Sequence, residues 1–276
     1  MNDPRFQIKL WGTRGSLPVS GAEFQQFGGN TSCFELRCGD QSLLFDAGSG
    51  IPLAGRALQD AGVKKFILFF SHFHYDHVIG LPFFVPLYCD DTSVQVWSGH
   101  TGGLKTTQQM FSDFMRAPFF PIGPEMFRAQ IDYRQFQPGA VLTPLSGVTL
   151  RTVMLNHHGG AIGYRAEFGS KSVAIIIDVE HESSTLDPAV LELIEGVDLF
   201  LYDATFEDSE MEMFAGFGHS TWQQGIRLAK TAGAKRLCFV HHAPLRTDSQ
   251  LLKIEAEAQA EFPGAFCGRD LQVIDI

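Results

Sequence analysis

The run FILFFSHFHYDHVIG, residues 66–80, constrains the fold of this chain more than any other stretch. Its first five residues are uniformly apolar and short, as in a buried strand. They lead directly into four side chains of the kinds that bind transition metals: His72, His74, Asp76 and His77. In an extended chain residues i and i+2 point the same way, so His72 and His74 converge on one position. After a turn, Asp76 and His77 reach a second position nearby. A buried strand that ends in a polar loop holds such a site rigidly and leaves it open.

One cluster of this kind rarely completes a coordination shell, so further ligands are expected at other strand ends. Three apolar runs finish on suitable residues: His157 after VTLRTVMLN, Asp178 at the end of SVAIIID, and His241 at the end of RLCFVHH. With the first cluster these give seven ligands, enough for two divalent ions, and Asp178 can bridge them through its two oxygens. Each HH pair leaves a choice of one residue, His157 or His158 and His241 or His242. Histidine and carboxylate without thiolate suit zinc first, and also manganese or iron.

Strand-like runs recur along the chain, and helix-like runs fall at about 51–61, 104–115, 187–195, 221–232 and 249–262. Two sheets packed face to face with helices outside fit this order, an α+β arrangement. No linker composition or repeat divides residues 1–276, so one domain is expected. A segment at about 99–134, rich in phenylalanine, proline and glycine, reads as an insertion that serves as a lid, a homodimer contact or core.

The net charge is −10 and no basic run is present, which disfavours a protein held to nucleic acid by general electrostatics. An anionic substrate remains compatible, because two divalent ions make one cleft locally positive. Five cysteines without a CxxC pair suit reduced thiols in a cytoplasmic protein. No signal peptide and no apolar run of membrane-spanning length is evident. The GTRGS loop offers Arg14 and Ser16, and GGNTS offers Asn30 and Thr31. Their backbone N–H groups can face an anionic substrate, or the loops can be plain turns with Arg14 holding the loop beneath the metals.

SHFHYDH resembles the HxHxDH signature of the metallo-β-lactamase superfamily of metal-dependent hydrolases. LLFDAGSG is similar to that superfamily's first motif, which places Asp46 as a support for the metal loop. NHHGG, IIID and FVHH follow in the order of the later ligands, from which His157 and His241 are preferred in their pairs. The resemblance implies an αββα four-layer sandwich with the site at one edge between the sheets. WGTRGSLP with FGGNTSC resembles the phosphodiesterase branch, and LYDATF followed by GHST resembles motifs of the tRNA 3′-processing endonuclease RNase Z. Those motifs carry over as Asp203 and His219, an acid that orients a histidine assisting phosphodiester cleavage. Aspartate stands here where the RNase Z pattern has glutamate.

The expected activity is hydrolysis of a small cyclic phosphate or cyclic nucleotide, with a hydroxide bridging two metals. Asp76 joins His219 and Asp203 among the catalytic residues as a ligand of that centre. An RNase Z-like endonuclease is the first alternative, disfavoured by the acidic chain and the short connections in 146–178. A thioesterase or lactonase and a non-catalytic metal-binding module are further alternatives. In the last of these ligand positions would be lost, whereas here all are filled.

Overall fold

The computed structural model describes residues 5–181 and 185–276. Among them, two seven-stranded sheets account for fourteen strands. From edge to edge the first sheet is β14 (Val273–Asp275), β1 (Phe6–Gly12), β2 (Cys33–Cys38), β3 (Gln41–Phe45), β4 (Lys65–Phe69), β5 (Ser93–Ser98) and β6 (Gln130–Gln135). The second is β13 (Ala265–Cys267), β12 (Leu237–Val240), β11 (Leu199–Asp203), β10 (Lys171–Ile176), β9 (Ala161–Phe168), β8 (Val148–Leu155) and β7 (Val141–Leu145). The helices are α1 (Ile51–Asp60), α2 (Tyr75–Val78), α3 (Thr107–Phe114), α4 (Pro188–Ile194), α5 (Met211–Phe214), α6 (Trp222–Ala232) and α7 (Asp248–Glu261). None of the described helices is long and apolar enough to cross a membrane.

Alternation along single strands explains the layers. In β4, Phe66 and Leu68 pack outward beneath α1, while Phe69 faces the second sheet. In β11, Phe200 and Tyr202 pack under α4 and α6, while Leu199 and Leu201 face the first sheet. Strands covered on both faces read as continuous apolar runs rather than alternating ones. The middle layer joins Ile8, Leu36 and Phe45 of one sheet to Tyr164, Val173 and Val240 of the other. The result is the expected αββα sandwich.

Strand direction places the site. β3, β4, β5 and β6 run parallel, as do β10, β11, β12 and β13. β8 and β10 both lie antiparallel to β9, so they run the same way as each other. The carboxyl ends of β8, β10, β11 and β12 therefore share one edge. Thr221 starts α6 at that edge, its hydroxyl accepting a bond from the Gln224 amide, and Gly233 ends the helix in a left-handed turn.

The segment at 99–134 departs from a simple insertion. Its last residues enter β6, which pairs with β5 as the edge of the first sheet. α3 in its middle buries Phe111 against Phe70. The QIDYRQ strand exposes alternate polar residues at a sheet edge, so its period-2 signal has no strong apolar face.

Candidate metal centre

Each of the seven expected ligands lies at or just beyond a strand end. His72, His74, Asp76 and His77 follow β4, His157 follows β8, Asp178 follows β10 and His241 follows β12. Their donor atoms meet in overlapping groups, His72–His74–His157, His72–His77–Asp178 and Asp76–His77–His241, each with donors within 4.8 Å of one another. Asp178 is central: its Oδ1 lies 3.7 Å from His157 Nε2 and 3.4 Å from His241 Nε2, and its Oδ2 lies 3.1 Å from His77 Nε2. Asp76 Oδ2 is 3.2 Å from His77 Nε2 and 3.1 Å from His241 Nε2.

Neighbouring groups aim the imidazoles. His77 Nδ1 bonds Asp46 Oδ2 at 2.9 Å, His157 Nδ1 bonds the Gly218 carbonyl at 2.8 Å, and His241 Nδ1 bonds Thr205 Oγ1 at 3.0 Å. His72 Nδ1 lies 3.0 Å from Ser71 Oγ. Nε2 of each ring is thereby turned inward. Such outer hydrogen bonds fix the tautomer and orientation of metal-binding histidines. His74 instead turns Nδ1 inward, 3.0 Å from His157 Nε2. Asp46 also accepts from the Ser71 amide and hydroxyl at 2.7 and 2.8 Å, which ties β3 to the start of the metal loop.

The residues fit divalent cations. Buried His72 Nε2 has no hydrogen-bond partner among the described residues, and His77 Nε2 and Asp178 Oδ2, though 3.1 Å apart, do not meet in hydrogen-bond geometry, a costly arrangement that a cation would relieve. Burial would raise the carboxyl groups of Asp178 and Asp76, but the neighbouring His241 and His77 outweigh it and hold both well below the usual range. Burial would lower His77, yet Asp76, Asp178 and Asp46 push it well above the ordinary histidine value. The cavity thus favours positive charge at its middle. Asp46, Asp178 and His241 adopt φ of 60°, 59° and 58°, left-handed backbone that is uncommon outside glycine and concentrates at functional sites.

Beside Asp178 stands a second pair. His219 Nδ1 is 3.0 Å from Asp203 Oδ2 and 3.7 Å from Asp178 Oδ1. Asp203 is fully buried; its Oδ2 also accepts the Asp178 amide at 3.0 Å, and its Oδ1 accepts the Thr205 amide and hydroxyl at 3.0 and 2.7 Å. The shorter acid therefore reaches His219 from the end of β11. A cleft of about 300 Å³ opens over these groups, lined by Ser16, Phe73, His74, Tyr75, Asp76, Asp178 and His219.

The loop residues divide. Ser16 lines the cleft, and its amide donates to Asp76 Oδ2 at 2.7 Å. Arg14 does not face the cleft: it is fully buried and donates to the carbonyls of Gly28, Ala243 and Arg246, so it braces the loops. Thr31 is buried against Ser49, and Asn30 Oδ1 accepts from the Ser49 hydroxyl at 3.1 Å. Both serve loop packing. His158 bonds the Gly216 carbonyl and His242 the Gly268 carbonyl, both pointing away from the centre. Sequence reasoning missed Ser71, Thr205 and Glu180. Glu180 accepts from the Gly216 and Gly218 amides at 2.6 and 2.7 Å and so secures the loop before His219. Ser71 and Thr205 lie inside the SHFHYDH and LYDATF runs beside the residues those runs single out, whereas Glu180 carries no motif.

Paired sheets with a histidine–aspartate cluster at their common edge are the arrangement of the metallo-β-lactamase fold. The family model of the beta-lactamase superfamily domain matches residues 41–242, and the chain belongs to that superfamily. Among curated proteins it is similar to a ribonuclease Z of Brevibacillus brevis, 37% identical over 92 residues, or 32% of this chain and 29% of that one. A ribonuclease Z of Exiguobacterium sibiricum is 25% identical over 262 residues, covering 77% of this chain and 82% of that one. Among solved structures, the metallo-β-lactamase fold protein YhfI of Bacillus subtilis superposes with a TM-score of 0.74 at 20% identity, covering 99% of this chain and 100% of that one.

Proposed function

We propose that the protein is a phosphodiesterase that hydrolyses a small cyclic phosphate or cyclic nucleotide at a two-metal centre. The observation that carries this reading is the Asp203–His219 pair set beside Asp178 at the mouth of the cleft. His72, His74 and His157 would hold one ion, Asp76, His77 and His241 the other, with Asp178 shared. Bound ions would lower the pKa of an attacking water and offset the charge on the phosphoryl oxygens. The remaining chemistry belongs to the chain. Asp203 accepts the hydrogen bond from His219 Nδ1 and so fixes the ring, and Nε2 of the imidazolium would protonate a departing ester oxygen.

A small substrate is supported by the surroundings of the cleft. Between β8 and β9, and between β9 and β10, the chain turns tightly, so no arm for a large RNA projects from 146–178. The chain is acidic, with a net charge of −10. The names of the curated relatives favour the RNase Z reading, and one preparation tests both. Cyclic nucleotides, cyclic ribose phosphates, bis(p-nitrophenyl) phosphate and a precursor tRNA are assayed with zinc and with manganese. Turnover of a small diester is expected; cleavage of the tRNA at catalytic rates with inert small diesters would reverse the ranking.

A further inference from the structure

A second cavity, of about 710 Å³, adjoins the metal cleft, and His74 and Phe73 line both. Its walls are chiefly apolar, with Phe73, Leu104, Met110, Met154 and the His100 ring, while Thr101, Lys105 and His158 reach its margin and His72 and His74 join it to the metal cleft. His100 stacks on Phe73 with centroids 5.5 Å apart and planes 19° from parallel. It is 7% exposed, and its buried Nδ1 has no hydrogen-bond partner among the described residues. Gly159 and Gly160, at φ of 79° and 81°, leave the facing wall without side chains. Leu104 is 91% exposed and Met154 38%, which leaves apolar surface open to solvent at the rim.

Lys105 is paired with Asp113, so apart from Thr101 and His158 such walls offer sugar hydroxyls and phosphate oxygens few partners. A flat aromatic group suits them, because thioethers adapt to ring faces and edges and aromatic rings stack on one another. We propose that this pocket receives the nucleobase of a nucleotide-type phosphodiester while the phosphate lies over the metal centre. This deepens the proposed phosphodiesterase reading and rests on it for the placement of the phosphate. Base-free cyclic ribose phosphates then become poorer substrates than cyclic nucleotides.

Adenosine and ribose, neither carrying a phosphate, separate the two readings. Each is titrated into the metal-loaded full chain by calorimetry. Adenosine is expected to bind at least tenfold more tightly than ribose. Met154→Glu, which puts a carboxylate on the apolar wall, should weaken adenosine at least fivefold, and Leu104→Asp, at a residue too exposed to disturb folding, should act the same way. Equal affinity for adenosine and ribose, or adenosine binding unchanged in both variants, would overturn the pocket assignment. Adenosine binding with no turnover of any diester would instead remove the phosphodiesterase reading and leave the pocket standing.

Discussion

Replacing Asp203 by Asn tests the acid–histidine pair with almost no change in shape. The native carboxylate accepts four bonds, from the amides of Asp178 and Thr205, the Thr205 hydroxyl and His219 Nδ1. An amide oxygen turned toward Thr205 keeps two of them. The amide nitrogen then confronts the Asp178 N–H and the His219 ring, and a donor facing a donor makes no bond. The orphaned Asp178 amide costs about 1–3 kcal/mol in a buried site. In that orientation His219 Nδ1 loses its acceptor; with the amide turned the other way the bond to His219 is kept, and in both the negative charge beside the ring is gone. General acid assistance is worth about 10²–10⁴-fold, so kcat for a small diester should fall by at least about 10²-fold. Metal content by elemental analysis and the melting temperature are measured on the same preparation. A loss of metal parallel to the loss of turnover would shift the role of Asp203 to supporting the Asp178 backbone. Turnover within about threefold of the parent would refute the pairing altogether.

His219→Ala should lower turnover about 10²–10⁴-fold with metal content near that of the parent, since no ligand is removed; metal loss would make His219 structural. Asp178→Ala should lose at least one metal equivalent, and full occupancy by elemental analysis would sink its bridging role. At Gly218, φ is +84° and an added Cβ would lie 2.4 Å from His157 Nδ1, so Gly218→Ala should weaken metal binding about 10–100-fold by competition with a chelating dye. Burial would raise the Glu35 carboxyl, but Arg37, Trp11 and Ser42 outweigh it and depress its pKa below the ordinary value of 4.5. That sign places its stabilising contribution above pH 4.5 and removes it as pH falls through the lower folded value. Stability in urea should therefore decline over that acid range, and Glu35→Gln should flatten the decline.

The layers and most of the clustered donor side chains are legible because both leave local marks. A strand buried on both faces is a continuous apolar run, and FILFF and SVAIII announce β4 and β10. Histidine and aspartate at the ends of such runs stand out against them. Orientation was not legible. Nothing in the spacing of HH tells which imidazole turns inward; that follows from the bonds of His157 to Gly218, sixty-one residues away, and of His241 to Thr205, thirty-six away. For Arg14 the sequence leaves two readings, an anion contact and a brace for its loop, because nothing local separates them. Its carbonyl partners at Ala243 and Arg246 lie at the far end of the chain. β6, β7 and the three-residue β13 leave weaker marks, the first two because sheet-edge strands half exposed to solvent lack a full apolar face.

The centre draws its donors from loops of both sheets: His72, His74, Asp76 and His77 from the first, His157, Asp178 and His241 from the second. Ions held there would act as a clasp across the sandwich. A ligand that binds only the folded chain adds about 2.7 kcal/mol at a hundred times its dissociation constant. Protein made in metal-starved cells would then be less stable and more readily degraded. Its abundance would follow the metal supply, and a cell short of metal would lose the enzyme itself as well as its turnover.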